Sequence, residues 1–265
     1  MPLIHHTRKG AGSPAIVFVH GFGCARSDWD EQVAHFAPKH DTVAVDLGAH
    51  GTSPGGPEHA KIETHGADVA ALMDHLNLGP SILVGHSMGC RVVLEAAQRQ
   101  PARVKGLILV DGSRLGEAGS KAYEARAKAI ADMGYAKFVT AAFAQMFGAE
   151  YDKAKAATII KRAVDRKPEI CGPLFVDIGR YDSEHMDRVL AATKVPLLAI
   201  QTTVTRADGK RMSIAKGETT PYLDLLRAKV AGARIENIPG IGHFPQLERV
   251  PETNALMEDF IKGLR

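Results

Sequence analysis

The residues best suited to covalent chemistry are Ser87 and His243. Ser87 stands in Gly85-His86-Ser87-Met88-Gly89, which fits G-x-S-x-G. A serine hydroxyl is a weak nucleophile until a base removes its proton, and the base must be oriented by a third group. Among 12 histidines, His243 is the best candidate, because it lies in a late, glycine-flanked loop, Gly240-Ile241-Gly242-His243. His5 and His6 fall in the N-terminal arm, and His35 and His40 flank a surface helix. Together Ser87 and His243 suit nucleophilic attack on a carbonyl carbon. Such attack creates an oxyanion that needs N–H donors.

One donor is expected at Met88, whose N–H opens the helix after the turn. A second is expected at Phe22 in His20-Gly21-Phe22-Gly23, where a His-Gly turn aims the next N–H above the sheet. His20 itself reads as a structural hydrogen-bonding residue of that turn.

The elements that must hold these residues are legible around them. Ile82, Leu83 and Val84 form an apolar run before Gly85, and Val92, Val93, Ala96 and Ala97 follow at helical spacing until Pro101. This predicts a strand, an abrupt turn and a helix, with Gly85 and Gly89 letting the two approach closely. Further strands are expected at 15–19, 42–45, 104–110, 196–200 and 234–238, and helices at about 27–36, 222–230 and from Pro251. Ser27 is the expected cap of the first of these helices. Asp46 closes the strand at 42–45 and is expected to satisfy N–H groups of the Gly- and Pro-rich loop behind it. Strands alternating with helices argue for a parallel sheet covered on both faces, with ligand chemistry at the carboxyl ends of the strands. Phe22, Asp46, Ser87 and Asp111 all fall at such ends.

His20-Gly21-Phe22-Gly23, Asp46 with Gly48-Ala49-His50-Gly51-Thr52-Ser53, Gly85-His86-Ser87-Met88-Gly89 and Pro239 to Glu248, four blocks in this order, resemble the α/β-hydrolase fold family over about residues 1–113 and 190–265. The resemblance implies a mostly parallel α/β-hydrolase sheet with helices on both faces and an inserted helical cap. Core residues are then 1–113 and 186–265, with the cap at 114–185. That insert is Ala- and Lys-rich without a strand pattern, and Phe138, Phe143, Met146, Phe147, Phe175 and Tyr181 are its candidate pocket residues. It also implies a Ser-His-acid mechanism, in which the commonest pattern places an Asp just after the strand matching Leu197 to Ile200. Here that stretch reads Gln201-Thr202-Thr203-Val204-Thr205, with no carboxylate before Asp208. Asp208 sits among Arg206, Lys210 and Arg211, which equally suits a solvated ion-pair loop. Some members of the family take the acid from the preceding strand end, where Asp111 stands in this chain. Asp111 is therefore placed ahead of Asp208, and both stay open.

Composition narrows the rest. The 265 residues, 45% of them apolar, suit one large α/β domain with an inserted lobe. A net charge of +3, from 33 basic and 30 acidic residues spread along the chain, gives no nucleic-acid footprint. Cys24, Cys90 and Cys171 lack disulfide or zinc spacing. No stretch has membrane-spanning length, so a cytoplasmic enzyme is expected, without metal or organic cofactor and compatible with a homo-oligomer. The leading expectation is hydrolysis of a small-molecule carboxylic ester through an acyl-enzyme. Alternatives are C–C bond hydrolysis or perhydrolysis on the same residues, or a receptor-like protein that binds a ligand without turnover.

Overall fold

The computed structural model describes residues 3–206 and 209–264. Strand β1 (His6–Lys9) precedes β2 (Ala15–Val19), helix α1 (Asp30–Phe36), β3 (Thr42–Val45), α2 (Ile62–His75) and β4 (Ser81–His86). Helix α3 (Met88–Arg99) and β5 (Val104–Val110) come next. Five helices then run without an intervening strand: α4 (Ala122–Met133), α5 (Tyr135–Phe143), α6 (Lys153–Val164), α7 (Pro168–Glu184) and α8 (Met186–Ala192). The chain returns through β6 (Leu197–Gln201), β7 (Thr203–Thr205), β8 (Arg211–Ser213), α9 (Pro221–Lys229), β9 (Arg234–Asn237), α10 (Pro245–Glu248) and α11 (Val250–Gly263).

Seven strands form one sheet in the order β1-β3-β2-β4-β5-β6-β9, all neighbours parallel except the β1–β3 pair. Strand order on either side of β4 runs outwards, so β4 lies near the middle, with its carboxyl end at the crevice such sheets leave. The inner strands β2 to β6 are mostly apolar on both sides because both sides are buried, whereas the edge strands β1 and β9 are polar and partly exposed. Ile16, Phe18, Ala44, Ile82, Val84, Ile108 and Val110 face Trp29, Val33 and Phe36 near α1 and Met257, Phe260 and Ile261 of α11. The alternate residues, Val17, Val19, Val43, Val45, Leu83, Leu107 and Leu109, face α2 and α3 on the other side. No helix among the described residues is long and apolar enough to cross a membrane.

Two local expectations change. Ser27 caps nothing and is exposed; a 3-10 turn at Arg26–Trp29 precedes α1, and the Asp28 carboxylate accepts from the Ala25 N–H at 3.1 Å. The last helix buries Met257 and Ile261 beside Phe260, and leaves Leu256 and Leu264 half-buried. Its packing face is therefore rotated by about one residue from the Leu256-Phe260-Leu264 stripe, towards the side that meets α1.

Candidate active site

Ser87 joins β4 to α3 at φ 54° and ψ −113°, a conformation that L-residues avoid. The glycines around it are demanded by contact. A Cβ on Gly85 would lie 2.3 Å from the Gly89 carbonyl oxygen, and one on Gly89 would lie 2.5 Å from that of Val19. Strand, turn and helix are thus pressed together so that Ser87 occupies the tip. Met88 begins α3, so its N–H has no carbonyl one turn earlier in the helix to accept it. Met88, Phe22, Ser87 and His243 line one cavity of about 50 Å³.

Asp111 follows β5 and also has a positive φ, 42°. Its carboxylate is fully buried, and Oδ2 accepts from His243 Nδ1 at 2.5 Å. The other contacts complete the carboxylate. Oδ1 accepts the N–H groups of Thr202 (2.7 Å) and Thr203 (2.8 Å), and Oδ2 also accepts the Thr203 hydroxyl at 2.5 Å. The segment that in the sequence lacks a carboxylate thus supplies the donors for one arriving from the neighbouring strand. Burial opposes the charge on Asp111, but the bond to His243 and the positive charge nearby outweigh it and hold the carboxyl below its ordinary value. Asp208 lies outside the described residues.

The loop carrying His243 is fastened on several sides. His243 donates its N–H to the Met146 carbonyl at 2.6 Å, and His86 Nε2–H donates to the His243 carbonyl at 2.7 Å. The Thr202 hydroxyl donates to the Gly242 carbonyl at 2.7 Å. His86 is held neutral by burial, its pKa lowered to about 3, which suits a donor of one fixed tautomer. With Nδ1–H committed to Asp111, the free nitrogen of His243 is Nε2. Burial and the Arg211 charge push the imidazole below its ordinary pKa, against the pull of Asp111.

Arg211 is the site residue that the sequence reading missed. By sequence it groups with Arg206 and Lys210 in a solvated loop; instead β7 and β8 pair as a small antiparallel hairpin and return it to the site. Its Nη1 donates to the Thr203 hydroxyl at 2.6 Å and lies 3.2 Å from His243 Nδ1 and 3.6 Å from Asp111 Oδ2. Arginine only donates and Nδ1 already donates to Asp111, so the 3.2 Å approach is a charge facing a dipole. The alternation Thr203-Val204-Thr205 before the loop was the available signal.

The other sequence candidates divide. Phe143, Met146 and Phe175 line the cavity with Ser87. Phe147 instead stacks on Phe244, ring centres 4.9 Å apart, and Tyr181 is buried with its hydroxyl on Glu95. His20 bonds its own turn: Nδ1–H donates to the Gly21 carbonyl at 2.7 Å, and Nε2 accepts the Leu47 N–H at 3.1 Å. Asp46 accepts the N–H groups of Arg26 (2.8 Å) and Thr52 (2.9 Å), a loop-ordering role.

A family model for the α/β hydrolase fold matches residues 14–156. The chain is 37% identical over 109 residues to the dihydrolipoyllysine-residue acetyltransferase component of an acetoin cleaving system from Pseudomonas putida, covering 41% of this chain and 30% of that protein. It is 29% identical over 177 residues to 3-oxoadipate enol-lactonase 2 from Acinetobacter baylyi, covering 66% of this chain and 60% of that one. The chain spans less than two thirds of the length of both curated relatives. The enol-lactonase from Burkholderia xenovorans LB400 superposes with a TM-score of 0.80 at 24% identity, over 98% of this chain and 96% of that one, a likeness of fold. The matched model covers more than half of the residues and includes β4, the Ser87 turn and the Asp111 strand end, so the chain belongs to the α/β hydrolase fold family.

Proposed function

We propose that this protein is a serine hydrolase that cleaves a small-molecule carboxylic ester through an acyl-enzyme. Ser87 is the nucleophile, His243 the base through Nε2, and Asp111 the acid that orients it. The observation that carries the reading is the 2.5 Å bond between Asp111 and His243 beside the strained turn that presents Ser87. His243 takes the Ser87 proton as the hydroxyl attacks the ester carbonyl, and the N–H groups of Phe22 and Met88 receive the oxyanion. The imidazolium then protonates the departing alcohol. Water, activated by His243 in turn, attacks the acyl-enzyme and releases the acid.

Helices α4 to α7 serve in this reading as the cap over the site, since Phe143 and Phe175 reach the Ser87 cavity from that stretch. The alternative of binding without turnover drew its support from the missing carboxylate after β6. Asp111, which lies against His243 from the adjacent strand, supports the hydrolase reading instead. Free, buried Cys24, Cys90 and Cys171 suit a reducing cytoplasm.

Initial rates on p-nitrophenyl acetate test the assignment. The wild type is expected to turn it over and folded Ser87→Ala to lose at least about a thousandfold in kcat. Equal rates in the two proteins would overturn it.

A further inference from the structure

One cationic group near the site has no function in the chemistry above. Arg126 of α4 is half-buried, with its guanidinium 5.6 Å from the Phe175 ring centre. Its Nη1 is buried and has no hydrogen-bond partner, and no carboxylate among the described residues pairs with Arg126. The neighbouring cations are accounted for. Arg91 is bound by Asp182 through Nε (2.7 Å) and Nη2 (2.6 Å), and Arg211 stands by Asp111 with Nη1 on Thr203. No described residue accepts from Arg211 Nε or Nη2. Burial and the charge of Arg91 lower the pKa of Arg126 from its ordinary value against the opposing pull of Asp182, so the environment gains from a further counter-charge.

Arg126 and Arg211 line one cavity of about 340 Å³. Leu115, Met146, Phe175 and Arg211 belong to this cavity and also to the one holding Ser87, so the two adjoin and share these side chains as walls. Among the described residues no Asp or Glu lines either cavity. The cavity that adjoins the serine's thus holds two arginines, of which Arg126 has a buried Nη1 without a hydrogen-bond partner and, among the described residues, feels the negative charge only of Asp182, a carboxylate already bound to Arg91. Guanidinium donors are arranged as a planar fork that matches a carboxylate. A single uncompensated charge matches a monoanionic carboxylate better than a doubly charged phosphate.

Resting on the hydrolase reading, we infer that the substrate is an ester carrying a free carboxylate, which Arg126 binds, with Arg211 lining the same cavity, while Ser87 acts on the ester carbonyl. Arg126 is then a specificity-determining residue. A neutral ester of the same size leaves its guanidinium unpaired.

Two matched substrate pairs place the carboxylate on either side of the ester: mono-(p-nitrophenyl) glutarate against p-nitrophenyl valerate, and 3-acetoxybenzoate against phenyl acetate. In at least one pair, kcat/KM is expected to favour the anionic member by about tenfold or more. Arg126→Gln should collapse that ratio, mainly through KM, and Arg126→Lys should restore part of it. If neutral esters are hydrolysed but neither pair shows a preference, or the preference survives Arg126→Gln, the carboxylate site is wrong and the hydrolase reading stands. If no ester is turned over, that reading fails, and calorimetry with monoethyl glutarate decides the site separately. Binding that is lost in Arg126→Gln supports it, and absence of binding to the wild type overturns it.

Discussion

Asp111 Oδ2 and His243 Nδ1 lie 2.5 Å apart although 132 positions separate them in the chain. Two backbone N–H groups and the Thr203 hydroxyl hold the carboxylate in place for that contact. Replacing Asp111 by Asn keeps the volume but removes the charge, and an amide can present its NH₂ to Nδ1, favouring the wrong tautomer. Asp111→Asn is expected to lower kcat on p-nitrophenyl acetate by about 10³- to 10⁴-fold with little change in KM. Steady-state kinetics on variants with wild-type circular dichroism check this. A loss under tenfold would transfer the acid role elsewhere, with Asp208→Asn as the next variant to measure.

The acid limb of the pH profile should depend on Arg211. In the proposed mechanism His243 acts as a base only when neutral, so activity is expected to rise with pH as the imidazolium loses its proton. Because burial and Arg211 depress the imidazole pKa, that limb is expected below the ordinary histidine value. Arg211→Gln removes a positive neighbour, favours the imidazolium and should move the midpoint of kcat/KM upwards. A midpoint that stays put or moves down in the variant would separate Arg211 from the titration of His243.

Stability should rest heavily on the Arg91–Asp182 pair. Both side chains are essentially inaccessible, and the Asp182 carboxylate also accepts the Leu115 N–H at 2.6 Å. This links α3, the segment after β5, and α7 through one carboxylate. Asp182→Ala leaves the Arg91 charge buried without its partner and is expected to cost about 3–5 kcal/mol in urea unfolding. Arg114→Ala, which cuts a more exposed pair with Asp187, should cost about 1 kcal/mol or less. Comparable losses in the two variants would mean that burial does not set the difference.

Much of this architecture is written locally. The run Ile82-Leu83-Val84, the glycines flanking Ser87 and the apolar spacing after it mark a strand, a tight turn and a helix within a few residues of sequence, although the close contact that requires Gly89 is with Val19 of a neighbouring strand. His243 is likewise marked by its glycine-rich loop, and the sheet strands by short apolar runs between turn residues. Ser27 shows the weakness of reading ends this way: its residue type suits a cap, yet the Asp28 side chain takes the N–H one turn earlier.

What sequence alone determined was the parallel strands of the sheet, the helices beside them and the two reactive residue types at strand and loop ends, while β1 and the β7–β8 hairpin escaped it. The tertiary structure decided which carboxylate meets His243, because that depends on the β5–β6 pairing and on the donors of Thr202 and Thr203. It also decided the place of Arg211 and Arg126. A charged residue in a polar loop or on a helix reads as solvated until a hairpin or a neighbouring helix buries it. Local pattern reports period and propensity, whereas the pairing of distant charges is set by strand order and packing across the fold.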